Sequence, residues 1–367
     1  MQPTPTKPTI LIVEDEEGPR NALKVILRPF YNIHMVDSGE AALLAFRQQT
    51  VDLVTLDLKL PDRHGVELLQ EMKHQREDVE IIIITGYGSL KSSMDAIRYG
   101  AAGYLLKPFN VTELITLINQ TLEKKQRLDC VRGFLATSRA EWATERDSAT
   151  TWDQLSTRYF SLPQTKQAAD PRFGAYTEYA PLLSDLLEAK SRALLQHSYR
   201  VTFYANLLAK AMKMRTAEQQ MISIGSFLHD IGQIGVDELA SDASSSDDGE
   251  AAKQHPEIGA RLILPLRLPA EIGQIISYHH EWFDGSGYPN GLHGEGIPLY
   301  ARIVCIAQAF DHLLTAHATH RGMSIEEASE QVRRQAGTHF DPYLAELFAR
   351  EVNACKESLP ALATSSL

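Results

Sequence analysis

Five short apolar runs, at residues 9–13, 33–36, 53–56, 80–85 and 103–106, alternate with helical stretches over the first third of the chain. Strands that alternate with helices imply a parallel sheet with helices on both faces. Sheets of that kind place their sites at the carboxyl ends of the strands, and Glu14, Asp15, Asp57, Thr85 and Lys107 all fall there. Past Thr121 the strand signal stops. Glu123 to Arg127 open a polar stretch that ends near Pro171, and from about Tyr179 to Phe348 the apolar spacing is helical, as in Ile303, Ala307, Phe310 and Leu314. The expected fold is therefore multidomain: a doubly wound five-stranded α/β domain at 1–125, a helical linker at 126–178, an all-α domain at 179–350 and a tail at 351–367. Residues 241–250 are small, polar and acidic, the composition of a mobile loop.

A chain of 367 residues with 44% apolar content can bury two cores. Its formal charge of -11 disfavours a nucleic-acid partner. Cys130, Cys305 and Cys355 are far apart and form no CxxC pair, so a reducing cytoplasm is expected. The sequence has no run long and apolar enough for a membrane span and no signal-peptide pattern at its start. Histidine is uneven: His34, His64 and His74 precede a set that begins only at His197. Metal chemistry is therefore expected in the C-terminal half.

Two adjacent acids after one strand, an aspartate after another, a hydroxyl after a fourth and a lysine after the fifth are the parts of a phosphoaspartate switch. Glu14, Asp15 and Asp57 together can hold Mg2+, which takes hard oxygen ligands and neutralises an incoming phosphoryl group. Asp57 is then the carboxylate nucleophile, Thr85 can bond the phosphoryl oxygens, and Lys107 can pair with them as a point charge. Pro108 is a candidate cis residue. A lone aspartate at a strand end is usually a turn or a helix cap, but that account does not extend to five groups at matching ends. The segments Ile10-Leu11-Ile12-Val13-Glu14-Asp15, Asp57-Leu58-Lys59-Leu60-Pro61 with Gly65, Thr85-Gly86 and Tyr104-Leu105-Leu106-Lys107-Pro108-Phe109 resemble the receiver domain of two-component response regulators, a flavodoxin-like fold. The resemblance implies that a sensor histidine kinase phosphorylates Asp57 and that Thr85 and Tyr104 move together as a switch pair.

Neutral imidazole and carboxylate suit iron, manganese or zinc, and a dinuclear site needs one ligand that reaches both ions. Adjacent His229 and Asp230 can supply a terminal imidazole and a bridging carboxylate, His255 with His279 and His280 can complete a second position, and His197 is a further candidate near the first. A single histidine on a helix is more often a satisfied core or surface residue, and His34, His64, His74, His293 and His339 take that reading. The output set does not, because Leu228-His229-Asp230-Ile231-Gly232, His255-Pro256-Glu257-Ile258-Gly259 and the run from His279-His280-Glu281 through Gly287-Tyr288-Pro289 resemble the HD-GYP family, as do Ile297 to Ile303 and Asp311. The resemblance implies an all-α HD-type domain that hydrolyses cyclic di-GMP to linear pGpG or GMP. By position His229, Asp230, His255, His279 and His280 would be metal ligands, Asp311 would lie on the substrate side, and the Gly287-Tyr288-Pro289 loop would also contact a GGDEF-domain protein.

The chain departs from that family where the chemistry is made. Gln233 stands where a lysine is usual, Gln308 where a metal-binding aspartate is usual, and the arginine expected after Asp311 and a Lys-Pro-Gly stretch before His255 are absent, with His317 and the acidic 241–250 segment in their places. Each lost contact to a developing phosphoryl charge can cost on the order of 10²-fold in rate. His312, His317 and His320 are candidates to compensate for Gln308. Two readings stay open: a cyclic di-GMP phosphodiesterase controlled by phosphorylation, or a catalytically degenerate output that binds metal, nucleotide or a partner protein without turnover. Modification of Asp57 is expected to act by reshaping the receiver face that ends in the 111–125 helix, favouring a homodimer and reorienting the connector.

Overall fold

Both faces of the first sheet are covered, and its strand sequences follow from that. In the computed structural model, which describes residues 7–86, 95–96, 99–142, 148–160, 179–236, 252–315 and 322–356, strands β1 (Thr9–Val13), β2 (Asn32–Val36), β3 (Leu53–Leu56), β4 (Glu80–Thr85) and β5 (Gly103–Leu106) form one sheet. The order is β2-β1-β3-β4-β5 and every pairing is parallel. Successive side chains of a strand point to opposite faces. Leu11, Val13, Val54, Leu56, Ile81 and Ile83 accordingly bury against helices α2 (Gly39–Gln48) and α3 (Gly65–Gln75). Their alternates Ile10, Ile12, Leu53, Ile82 and Ile84 bury against α1 (Glu17–Leu27) and the start of α4 (Val111–Trp142). An apolar run without polar alternation is the signature of a strand buried on both sides.

The order reverses between β1 and β3, and a doubly wound sheet opens its crevice at that point. Glu14 and Asp15 follow β1, and Asp57 follows β3. Gly65, at the start of α3, donates its N–H to the Leu58 carbonyl at 2.8 Å. A β-carbon there would lie 2.4 Å from the Asp57 carbonyl oxygen, so only glycine lets α3 start this close to the loop after β3.

The chain divides into two compact units, one ending at Arg127 and the other beginning at Leu128. Val131, Phe134 and Leu135 of α4 pack in the core of the second unit with Trp152, Leu155 and Tyr159 of α5 (Ser148–Phe160). Part of the stretch read as a linker thus contributes to that core. Trp152 donates its indole N–H to the Leu262 carbonyl, and the Tyr159 hydroxyl donates to Oδ2 of Asp185 at 2.5 Å.

The α-helices of the second unit, among its described residues, include α6 (Ala180–Lys190), α7 (Arg192–Ala211), α8 (Thr216–Leu228), α9 (His255–Ile263), α10 (Ala270–Tyr278), α11 (Leu299–Leu314), α12 (Ile325–Arg334) and α13 (Pro342–Ala354). Among the described residues no helix is long and apolar enough to cross a membrane. The acidic segment 241–250, His317, His320, much of the expected linker and the end of the tail lie outside the described residues.

Two glycines bring the metal-type side chains together. A β-carbon on Gly232, in the short 3-10 helix Ile231–Gly235, would sit 1.9 Å from the His255 carbonyl oxygen and 2.5 Å from the Gly259 nitrogen. That helix and α9 therefore meet backbone to backbone, which sets His229 and Asp230 beside His255. Gly232→Ala is expected to cost about 1–3 kcal/mol of unfolding free energy through overpacking. Gly273→Ala, on α10 with nothing within 4 Å of the added carbon, is expected to be neutral or to stabilise by about 1 kcal/mol. Denaturant unfolding of the two variants checks the contrast.

Candidate functional site

At the carboxyl edge of the sheet, Glu14, Asp15 and Asp57 bring ligand oxygens within 4.8 Å of one another. Thr85 donates its hydroxyl to Oδ1 of Asp57 at 2.8 Å, and Lys107 donates to Oδ2 of Asp57 at 2.7 Å and to Oε2 of Glu14 at 2.5 Å. Burial alone would lower the Lys107 pKa, but these two carboxylates outweigh it and the net shift is upward. Burial raises the pKa of Glu14 against the opposing pull of Lys107. Its Oε1 is buried without a hydrogen-bond partner. A buried acceptor beside two more carboxylates suits a hard divalent cation, so the residues fit Mg2+. The Lys107–Pro108 peptide is cis. Tyr104 is half-buried, with its hydroxyl inward and unpaired.

The second centre is built on Asp230, which is 4% exposed. Its Oδ1 lies 3.1 Å from Nε2 of His255 and 3.6 Å from Nε2 of His279. Its Oδ2 lies 3.6 Å from Nε2 of His229 and 3.8 Å from Nε2 of His197. One carboxylate therefore spans two imidazole pairs. Asp230, His255, His279 and His280 form one cluster of ligand atoms, and His197, His229 and Asp230 form another.

The far nitrogen of each ring decides what the near one can do. Nδ1 of His229 donates to the Ser226 carbonyl at 2.7 Å, that of His255 to Ala252 at 2.6 Å, and that of His279 to Ile276 at 2.9 Å. Nδ1 of His197 donates to Oδ2 of Asp311 at 2.7 Å. A neutral ring that donates from Nδ1 leaves Nε2 as a bare lone pair. Burial lowers the pKa of His279 and pushes that of His229 down to about 3, Asp230 opposing in both cases. Bare Nε2 atoms face each other at 3.2 Å in both His197–His229 and His255–His279. Lone pairs cannot hydrogen-bond to one another, and Oδ1 of Asp230 has no hydrogen-bond partner. The arrangement suits cations between these atoms, and the donor set suits iron, manganese or zinc.

The remaining candidates divide. The His280 ring stacks on Tyr288 at 4.6 Å, and Nε2 of Gln308 donates to its Nδ1 at 3.3 Å. Gln233 donates its amide to Oδ2 of Asp230 at 2.6 Å. His312 lies flat on His197 at 4.8 Å, outside both ligand clusters. Asp311 is fully buried and grips His197, while Nε and Nη2 of Arg200 donate to its two oxygens at 2.6 and 2.9 Å. Its backbone position on an almost wholly buried helix directs it inward.

Sequence reasoning missed two residues. Arg200, one turn beyond His197 on α7, locks Asp311; the three-residue spacing on one helix was the available signal. Glu281 is buried, and its two oxygens accept the N–H groups of Asn290 at 2.7 Å and Leu292 at 2.9 Å. It thereby fixes the loop that carries Gly287, Tyr288 and Pro289. Gly287 has no room for a β-carbon, which would lie 2.2 Å from the Trp282 nitrogen. Phe283 and Asp284 tie the same loop to the carbonyls of His339 and Thr338 at 3.1 and 2.8 Å.

The family model for the response regulator receiver domain matches residues 10–119, and that for the HD domain matches residues 181–344. The chain is a response regulator with a receiver domain and an HD domain. It is 28% identical to a probable cyclic di-GMP phosphodiesterase of Vibrio cholerae, over 94% of this chain and 77% of that one. It is also 28% identical to the cyclic di-GMP phosphodiesterase response regulator RpfG of Xanthomonas campestris, over 93% of this chain and 87% of that one. A 3'3'-cGAMP-specific phosphodiesterase of Vibrio cholerae is 35% identical over 48% of this response regulator and 36% of its own length.

Asp230→Asn is expected to reduce bound metal at both clusters, whereas His280→Ala should affect only the cluster with His255 and His279; elemental analysis of the full-length protein checks this. A second prediction concerns His339, packed between Trp282 and Phe340. Burial lowers its pKa to about 4, Asp284 opposing. A depressed histidine pKa gives stability that is complete above the unfolded value near 6.5 and falls away as pH drops toward 4, by up to about 3 kcal/mol. His339→Leu should flatten that part of the stability–pH curve relative to wild type.

Proposed function

We propose that phosphorylation of Asp57 by a sensor histidine kinase controls hydrolysis of cyclic di-GMP in the HD domain, with Mg2+ at the receiver and two ions of iron, manganese or zinc at the histidine clusters. The observation that carries this reading is the Asp230 carboxylate, which offers one oxygen to each of two imidazole pairs. His197, His229 and Asp230 would hold one ion, and Asp230, His255, His279 and His280 the other. When bound, such ions supply Lewis acidity to a phosphodiester and acidify water. The protein's own groups do the positioning: Asp311 and Arg200 orient His197, Gln308 steadies His280, and Tyr288 walls the cavity beside it. The similarity to cyclic di-GMP and 3'3'-cGAMP phosphodiesterases supports a cyclic dinucleotide as substrate.

One observation favours a second reading, an output that binds nucleotide without turnover. The Gln233 amide is committed to Asp230 and brings no positive charge toward a phosphate. Turnover is therefore expected to be slow, since losing one such contact costs about 10²-fold.

The test is hydrolysis of cyclic di-GMP, with 3'3'-cGAMP in parallel, by full-length protein loaded with each metal, with and without a phosphodonor. Cyclic di-GMP should be cleaved, the phosphodonor should change the rate in wild type and not in Asp57→Ala, and Asp230→Asn should lower the rate by about 10²-fold or more. Gln233→Lys should raise it. Nucleotide binding without turnover, in wild type and in Gln233→Lys alike, would establish the second reading.

A further inference from the structure

The histidine clusters open on a cavity of about 330 Å³ whose wall includes Asp230, His255, His280, Tyr288, Gln308 and Lys190. The volume lies at the lower end of what small-molecule sites enclose. A phosphodiester that enters carries negative charge on its two free oxygens, and a charged donor on the wall strengthens its binding beyond what bound ions supply. Gln233 also lines the cavity, but its amide points to Asp230. The imidazoles on the wall bring no fixed positive charge. Among the described residues that line the cavity, Lys190 alone carries a full positive charge at neutral pH.

Lys190 is placed by the fold. It is the last residue of α6, and Ser191 caps the start of α7 by accepting the Ala193 N–H at 3.2 Å, so the chain turns sharply there. Its Nζ donates to the Val236 carbonyl at 3.3 Å, at the end of the 3-10 helix that follows His229 and Asp230. Half-buried Lys190 thus lines the cavity with its ammonium against the end of the 3-10 helix that carries Gln233.

We propose that Lys190 is the phosphate-binding cation of this site and takes over from another element of the fold the charge that Gln233 lacks. The proposal rests on the HD domain taking a phosphodiester, and it adds a residue that no family motif quoted above contains. Lysine acts as a point charge with rotatable donors, so arginine should largely replace it and a neutral side chain of similar length should not.

The experiment uses full-length, manganese-loaded protein and calorimetric titration with inorganic phosphate and, separately, with cyclic di-GMP. Wild type is compared with Lys190→Met, Lys190→Arg and an exposed control on α7, Lys210→Met, with metal content measured for each. Lys190→Met should weaken phosphate binding on the order of ten-fold at unchanged metal content, Lys190→Arg should recover most of it, and Lys210→Met should match wild type. Phosphate affinity unchanged in Lys190→Met would overturn the proposal. Loss of metal together with phosphate, unrecovered in Lys190→Arg, would make Lys190 a structural residue and overturn it too. Wild type that binds phosphate through Lys190 but not cyclic di-GMP would support the proposal while the substrate reading fails.

Discussion

Imidazoles packed around one buried carboxylate are the constraint from which the second domain is organised. Imidazole nitrogens and a carboxylate oxygen without a hydrogen-bond partner are gathered around one point. Such a cluster is costly without a cation, because each buried polar atom forgoes its partner in water. The helices are arranged to meet that need. Three of the histidines stand where a helix begins or ends, and their Nδ1 protons go to a carbonyl three residues earlier. The fourth, His197, lies inside α7, where Asp311 must come from α11 to orient it.

The receiver solves a related problem with opposite chemistry. Its carboxylates are close enough to repel, and Lys107 relieves that repulsion by bridging Glu14 and Asp57. The two centres differ as their donors do, hard oxygens in one and imidazole nitrogens around a shared carboxylate in the other. That difference is what separates a magnesium site from a transition-metal site.

The receiver site was readable in the sequence because a parallel sheet gathers the carboxyl ends of its strands, so Glu14, Asp15, Asp57, Thr85 and Lys107 needed only their strand positions. The metal-type histidines were readable as residue types at family spacing. Asp311 was not. Helix α11 is buried on almost every side, with Ala301, Ile303, Val304, Ile306, Ala307 and Phe310 all enclosed, and no polar face tells which direction is cavity and which is core. Lys190 was equally hidden, because a lysine at the end of an amphipathic helix reads as solvated until α6 and the 3-10 helix are seen side by side. Glu281 stood inside a quoted motif, yet its partners lie nine and eleven residues on, through backbone N–H groups that leave no mark in side-chain chemistry.

Glu281 also has a mechanical consequence. It adjoins His280, and both of its oxygens are occupied by backbone groups of the loop that follows. If Asn290 and Leu292 swung away, a buried carboxylate would lose both donors at once, at a cost of several kcal/mol. Partial opening is therefore disfavoured: the loop should stay seated or leave as a block, and when it leaves, Tyr288 leaves His280 with it. A single carboxylate in this way makes a stretch of irregular chain behave as one piece.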